Sequence, residues 1–297
     1  MAPYTYAQVV ERLTHLRQTG ERAPLQVCEM GRWLFQQYYG HRSTHSNDPQ
    51  LWAMAEQVFT ATLDVGDWQL ADQLLTALRT KFSDSRRIDL LSGMLLEAQG
   101  QFRDAERIYD KILEDDPINM RAAKRKVAIL KAQDQIPEAI ARLNDYLKEQ
   151  YTDQQGWLEL CELYLADNRH GEAGYCLEEL ILLQPVNHIY HLKYAELQYT
   201  MHNYGVAFKY YCRVLELCSD HLRGLYGLKL CVAKLRHLQS TNAVSTGKDI
   251  SLPDPAVLDQ MDVLITDRLS AMYTQSVTTT EKPLADLVHC WVQSLSA

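Results

Sequence analysis

Hydrophobic positions recur with a fixed period through the central part of this chain. Each period is marked by an alanine, with a bulky residue three positions before it and apolar or aromatic residues four and seven positions after it. The five evenly spaced alanines are Ala71, Ala105, Ala139, Ala173 and Ala207. The apolar positions within a period have helical spacing, which predicts two amphipathic helices in every 34-residue unit.

This period is the length of the tetratricopeptide repeat, a helix–turn–helix unit. A small residue early in the second helix lets the two helices cross closely, and no single pair can bury its apolar face alone. The pattern therefore predicts an all-α fold, a tetratricopeptide-repeat α-solenoid built as a right-handed superhelix of antiparallel helix pairs. Full units are expected at 52–85, 86–119, 120–153, 154–187 and 188–221, with a partial sixth unit from Leu222 to about Gln239.

The ends of the chain depart from the period. Helices are expected at 4–18 and 24–39, followed by a polar loop at 40–50, but Gln37 replaces the alanine of the register, which favours an N-terminal helical cap over 1–51. The repeats then cover 52–239. A flexible loop is expected at 240–255 because of its Ser, Thr, Gly, Asp and Pro content. C-terminal helices over 256–297, at 256–273 and 283–295, either cap the array, which we favour, or dock on a partner.

Composition narrows the class of protein. The chain has 297 residues, 46% of them hydrophobic, with only 13 Gly and 9 Pro, as a helical stack requires. A formal charge of −8 argues against nucleic-acid binding, which needs a basic surface. No run approaches the ~20 apolar residues of a membrane span, and the N-terminal helix lacks the apolar core of a signal peptide. We expect a cytosolic or nuclear protein.

One basic stretch stands out against the acidic background. It holds five cations without an acidic residue among them: Arg121, Lys124, Arg125, Lys126 and Lys131. The stretch is equally consistent with a solvated helix face and with a docking patch for an acidic partner segment.

The sequence contains no recognisable catalytic or metal constellation. It has no phosphate-binding glycine loop, no G-x-S-x-G and no H-E-x-x-H motif. His188 and His191 share a helix face, but no further ligand converges on them by spacing, so structural histidines are favoured. The seven cysteines form no C-x-x-C pair, and Cys161 falls at the predicted helix crossing, which favours buried structural thiols. We expect no enzyme, no cofactor and no metal.

The binding surface is better defined than any active site. In tetratricopeptide solenoids the first helix of each unit lines the concave groove through its second, fifth, ninth, twelfth and thirteenth positions. The groove candidates are Arg87, Leu90, Met94, Arg121, Lys124, Lys131, Leu158, Glu162, Leu165, Ile189, Leu192, Tyr199, Arg223 and Tyr226. This mixture of apolar and charged residues suits an extended segment or a helix of another protein.

Several stretches resemble one particular family. They are GMLLEAQGQFRDAERIYDKILEDDP at 93–117, RAAKRKVAILKAQ at 121–133, WLELCELYLADNRHGEAGYCLEELILLQP at 157–185, YAELQYT at 194–200 and RGLYGL at 223–228. Together they are similar to the second subunit of the endoplasmic reticulum membrane protein complex, over about residues 52–230. The basic run and the EAGYCLEEL segment at 172–180 are the more particular features.

The resemblance implies a non-enzymatic scaffold on the cytosolic side of the endoplasmic reticulum membrane, peripheral through its partners. Its expected partners are membrane-embedded subunits, including a YidC-like insertase subunit, and a cytosolic MPN-domain-like subunit. The complex of that family inserts tail-anchored and multipass proteins. The alternative is a tetratricopeptide adaptor that binds peptide segments of a chaperone or another cytosolic complex. Leu90 and Met94 count against its chaperone version, whose carboxylate clamp needs Lys and Asn at these positions.

Overall fold

The computed structural model describes residues 5–39, 49–241, 253–275 and 282–296, and every regular element in these ranges is helical. The predicted polar loop at 40–50 and flexible loop at 240–255 lie largely outside the described residues. The helices are α1 Tyr6–Thr19, α2 Pro24–Leu34 (continued by a π-helical turn, Phe35–Tyr39), α3 Pro49–Val65, α4 Trp68–Lys81, α5 Arg86–Ala98, α6 Phe102–Asp115, α7 Met120–Ala132, α8 Ile136–Glu149, α9 Gln154–Ala166, α10 His170–Leu183, α11 His188–Thr200, α12 Tyr204–Leu217, α13 Leu222–Ser240, α14 Pro255–Gln275 and α15 Lys282–Ser296.

The helix boundaries follow the 34-residue period. The second helices of the five units, α4, α6, α8, α10 and α12, each begin three residues before a marker alanine. All five marker alanines have no exposed surface. The predicted all-α tetratricopeptide fold is therefore confirmed.

The turn inside each unit repeats with the same period. Gly66, Gly100, Asp134, Asn168 and His202 all have positive φ, between 58° and 80°. A left-handed residue ends the first helix and reverses the chain, and glycine adopts this conformation without steric cost. The three later units use residues with a side chain at the same place.

The chain divides into two compact units, Met1–Ala139 and Ile140–Ala297, and the boundary falls within α8. The proposed division into cap, repeats and C-terminal helices remains a prediction. In the first unit, α2 packs closely on α3, where a Cβ on Gly31 would lie 2.1 Å from the Val58 side chain. Val9 and Leu13 of α1 are fully buried in the same core.

The first unit shows why the repeat needs small residues. An added Cβ at Gly93 of α5 would lie 2.4 Å from the ring of Tyr109 in α6. Tyr109 has no exposed surface, and its hydroxyl donates to Oε2 of Glu97 at 3.0 Å. The absence of a side chain at Gly93 thus sets the distance between the two helices of this pair.

In the second unit, α14 packs against α13, with Leu258, Ile265 and Leu269 fully buried in a shared core. A buried ion pair joins the same helices. Lys229 has no exposed surface, and its Nζ donates to Oδ1 of Asp262 at 2.6 Å.

This ion pair occupies a position that holds a small residue in two of the earlier repeats. Lys229 is the eighth residue of α13, where α5 has Gly93 and α11 has Ala195. Lys229 also donates to Thr266 at 3.2 Å, and Arg236 reaches the second oxygen of Asp262 at 3.1 Å. Because an unpaired buried charge is costly, this network ties α14 to α13 specifically.

We expect Gly93→Ala to lower the free energy of unfolding by about 1–3 kcal/mol, because its Cβ would overlap the Tyr109 ring in a filled core. The matched control is Gly171→Ala in α10, where an added Cβ meets no atom within 4 Å. That control should change stability by less than about 1 kcal/mol. Urea unfolding followed by circular dichroism measures both, and equal effects would contradict the packing argument.

Asp262→Asn is expected to cost about 3–5 kcal/mol, because it removes the negative charge that pairs with the fully buried Lys229 ammonium at 2.6 Å. Asp259 provides the control, since it pairs with Arg236 at 2.6 Å but its side chain is 71% exposed. Asp259→Asn should cost less than about 1 kcal/mol. Limited proteolysis should cleave α14 first in the Asp262 variant. A similar loss in both variants would refute the special role of the buried pair.

Candidate partner-binding face

The predicted groove residues lie on α5 and α7 in the first unit and on α9, α11 and α13 in the second. Their spacing of three and four residues places them on one side of each first helix. We call these positions the first-helix face of each unit. The face is defined by helix geometry within each compact unit.

The apolar members of this face differ in exposure. Leu165 and Ile189 are exposed, at 41% and 39%, whereas Met94 is half-buried. Leu90 and Leu192 are instead buried in the cores of their units, at 7% and 3% exposure. These two leucines pack in the core below the surface of the face, because the fifth position of a first helix also points toward the neighbouring helices.

In the first unit, charges of adjacent first helices pair with one another. Glu56 of α3 accepts two hydrogen bonds from the guanidinium of Arg87 in α5. Glu97 of α5 lies 3.5 Å from Arg125 of α7. In both pairs the acid belongs to the earlier helix and the cation to the later one.

The second unit repeats this arrangement. Glu162 of α9 pairs with Lys193 of α11 at 3.8 Å. Arg223 of α13 holds both carboxylate oxygens of Glu196 in α11, at 2.5 and 2.8 Å. Exposed pairs of this kind contribute little stability, typically about 0–1 kcal/mol each. Their main effect is that these charges are locally balanced rather than displayed as a block of one sign.

The basic stretch of α7 is partly neutralised in the same way. Besides the Arg125 pair, Lys126 binds the carboxylate of Asp110. Arg121 is exposed and has no hydrogen bond or ion pair to any residue the structure describes. Of the two interpretations of this stretch, a docking role therefore rests most directly on Arg121.

The C-terminal helices cover one end of the face in the second unit. The Tyr226 hydroxyl donates to that of Tyr273 in α14 at 3.0 Å, and its ring lies 5.1 Å from that of Trp291 in α15. Burial and the Tyr273 hydroxyl raise the pKa of Tyr226 above its ordinary value. Tyr226 is therefore half-buried against this chain's own helices, which sequence spacing alone did not predict.

A cavity of about 280 Å³ opens on the first unit between α3, α4 and α5. Trp52 and Phe82 meet edge to face in its wall, with ring centroids 5.6 Å apart. Glu56 and Arg87 line it as well. Only Arg87 was among the predicted site residues, because the groove positions of the degenerate unit 52–85 were not assigned.

The candidate chemical groups occupy structural positions. Burial raises the pKa of the Cys161 thiol to about 11, so it stays protonated at neutral pH. His191 is buried with Nε2 2.9 Å from the carbonyl of Pro185, and the His188 ring packs on that of His221 at 5.2 Å. Across 5–39, 49–241, 253–275 and 282–296, no three His, Cys, Asp or Glu side chains group as metal ligands would. Over the same ranges, none of the helices is sufficiently long and hydrophobic to span a bilayer.

Comparison with known proteins identifies the family. A family model described as the EMC2 TPR-like repeat domain matches residues 70–210, which run from α4 to α12. ER membrane protein complex subunit 2 of Xenopus tropicalis is 39% identical over 227 residues, with 75% of each chain covered. The chain belongs to the family of ER membrane protein complex subunit 2.

More distant relatives of the subunit 2 family align over similar lengths. The Dictyostelium discoideum ER membrane protein complex subunit 2 is 33% identical over 247 residues, covering 78% of this chain and 76% of that protein. The TPR repeat protein oca3 of Schizosaccharomyces pombe is 32% identical over 213 residues, covering 70% and 76%.

Among solved structures, the C-terminal part of a TPR repeat-containing protein from Cytophaga hutchinsonii is similar with a TM-score of 0.54. It covers 87% of this chain and 94% of its own, at 15% sequence identity. At that identity the likeness concerns the fold alone.

Proposed function

We propose that this chain is a non-catalytic scaffold subunit of an endoplasmic reticulum membrane protein complex. It sits on the cytosolic face of the membrane and is held there by its partners. Through its first-helix faces it holds cytosolic parts of membrane-embedded subunits, including a YidC-like insertase subunit, and it binds a cytosolic MPN-domain-like subunit. It thereby supports insertion of tail-anchored and multipass proteins.

The observation that carries this proposal is family membership at 39% identity over three quarters of the chain. Two structural features support it. Leu165, Ile189 and Arg121 are exposed on first helices, where a partner can reach them. In addition, burial raises the pKa of the Cys161 thiol to about 11, which makes it a poor nucleophile at neutral pH.

The neighbouring ion pairs fit a permanent partner better than a short peptide. A partner that covers Glu56–Arg87 or Glu196–Arg223 meets charges that are already paired, so it does not have to neutralise them. Stable complexes of this kind bury large surfaces, on the order of 2000 Å² or more in total. An adaptor that binds peptides transiently would need only part of the same face.

Arg121→Glu tests the proposal in the intact chain. Tagged wild-type chain, purified from a mild-detergent membrane extract, is expected to retain multipass membrane subunits and an MPN-domain-like protein in near-stoichiometric amounts. The variant should recover these at least several-fold less well, because it reverses an exposed cation on the first-helix face.

Arg103→Glu is the matched control, because the charge change is identical. Arg103 is exposed on α6, a second helix within the same compact unit, Met1–Ala139. It should co-purify the partners at the wild-type level. Recovery of only soluble chaperones by the wild-type chain would overturn the scaffold proposal and favour the adaptor. Equal losses in both variants would show that the first-helix face has no special part in partner binding.

A further inference from the structure

The outward side of α10 carries an apolar stripe that its own unit does not use. Tyr175 is 55% exposed and Leu182 75%, and Val186 in the following turn is 74% exposed. The spacing of seven residues aligns Tyr175 and Leu182 along one side of the helix, which ends at Leu183. The opposite side of α10 already fills the core, with Ala173 and Cys176 fully buried.

Aromatic residues widen this stripe toward α9. The Trp157 ring meets that of Tyr175 at 6.0 Å in an edge-to-face arrangement. The indole nitrogen of Trp157 donates to the backbone carbonyl of Tyr151 at 2.8 Å, and Tyr151 is itself 67% exposed. We define the α10 stripe as Tyr175, Leu182 and Val186.

The other repeats indicate that the stripe is not a requirement of the fold. In α12, one period later, Lys209, Glu216 and Asp220 stand where α10 and its turn have Tyr175, Leu182 and Val186. In α6 the positions of Tyr175 and Leu182 hold Arg107 and Glu114. Two other second helices, α6 and α12, therefore carry charges at the positions where α10 exposes Tyr175 and Leu182.

Carboxylates flank the stripe on both sides. On the helix, Glu178 lies to one side of the line from Tyr175 to Leu182, and Glu179 lies to the other. Glu178 accepts a hydrogen bond from Tyr194 at 2.5 Å, and Glu179 accepts one from Tyr175, which raises the pKa of Tyr175.

These hydrogen bonds leave the carboxylates uncompensated in charge. Both donors are neutral phenols, and no Lys or Arg lies within 4 Å of Glu178 or Glu179 among the described residues. The sequence of α10 contains neither Lys nor Arg. The stripe is thus an apolar ridge between two negative edges.

We propose that the α10 stripe docks an amphipathic helix of a partner protein whose apolar ridge is flanked by Lys or Arg. Burying the exposed apolar side chains would provide the affinity, and the cations would meet Glu178 and Glu179 and select the orientation. An acidic helix with the same ridge, or an anionic lipid surface, would be repelled by these carboxylates. The site lies on a second helix and is separate from the first-helix face.

The test uses the full chain and synthetic 18-residue helical peptides labelled with a fluorophore. One peptide has a leucine ridge flanked by lysines, a second has the same ridge flanked by glutamates, and a third has the scrambled composition of the first. Fluorescence anisotropy should detect binding of the leucine–lysine helix alone. Tyr175→Lys/Leu182→Glu, which installs the residues of α12, should weaken that binding at least tenfold without altering the net charge.

The control variant is Lys209→Ala/Glu216→Ala, which changes the equivalent positions of α12 and should bind as wild type does. Circular dichroism checks that both variants keep the wild-type melting temperature, as expected for exposed positions. Equal binding of the scrambled or glutamate peptide would overturn the proposal, as would unchanged binding by the α10 variant. Self-association of the wild-type chain that the α10 variant abolishes, measured by sedimentation velocity, would instead make a second copy the occupant and also overturn it.

Discussion

The whole fold depends on how closely two helices can approach at one small residue in every repeat. The five marker alanines have no exposed surface, and each is the fourth residue of its second helix. At Gly93 the contact is so close that even one methyl group would overlap the Tyr109 ring. Because interiors pack at near-crystalline density, this distance sets the position of every neighbouring helix, and with it the side chains left on the surface.

Surface chemistry follows from this stacking. Adjacent first helices lie close enough for an acidic residue of one repeat to reach a cation of the next repeat, as in Glu56–Arg87 and Glu196–Arg223. Many charges of the first-helix faces are therefore locally paired, and Leu165 and Ile189 are exposed on the same faces. Such a surface selects a partner by shape and by where its charges fall, which suits a permanent subunit interface.

The period predicted the fold well because it reports directly on packing. The burial of the marker alanines and the C-terminal helices near 256–273 and 283–295 followed from spacing. The left-handed turns follow the same period: Gly66 and Gly100 stand one full period apart, and Asp134, Asn168 and His202 continue the series. Local spacing could not predict contacts between residues that lie far apart in the sequence.

Such contacts explain what sequence reasoning missed in the candidate site. Lys229 would be expected at the surface, but Asp262, far along the chain in α14, makes its burial possible. Tyr226 was assigned to the groove, yet Tyr273 and Trp291 cover it. Leu90 was assigned by its position number, whereas its burial depends on how tightly neighbouring helices stack. Each of these outcomes is set by a long-range neighbour that periodicity does not specify.

We expect the first-helix faces to be covered by partners in the assembled complex. Hydroxyl-radical footprinting of the isolated chain and of the purified complex measures this directly, side chain by side chain. We expect Met94, Leu165 and Ile189 to lose most of their labelling on assembly, while Arg103 and Arg213 on the second helices α6 and α12 keep theirs. Unchanged labelling of Met94, Leu165 and Ile189 in the complex would contradict the claim.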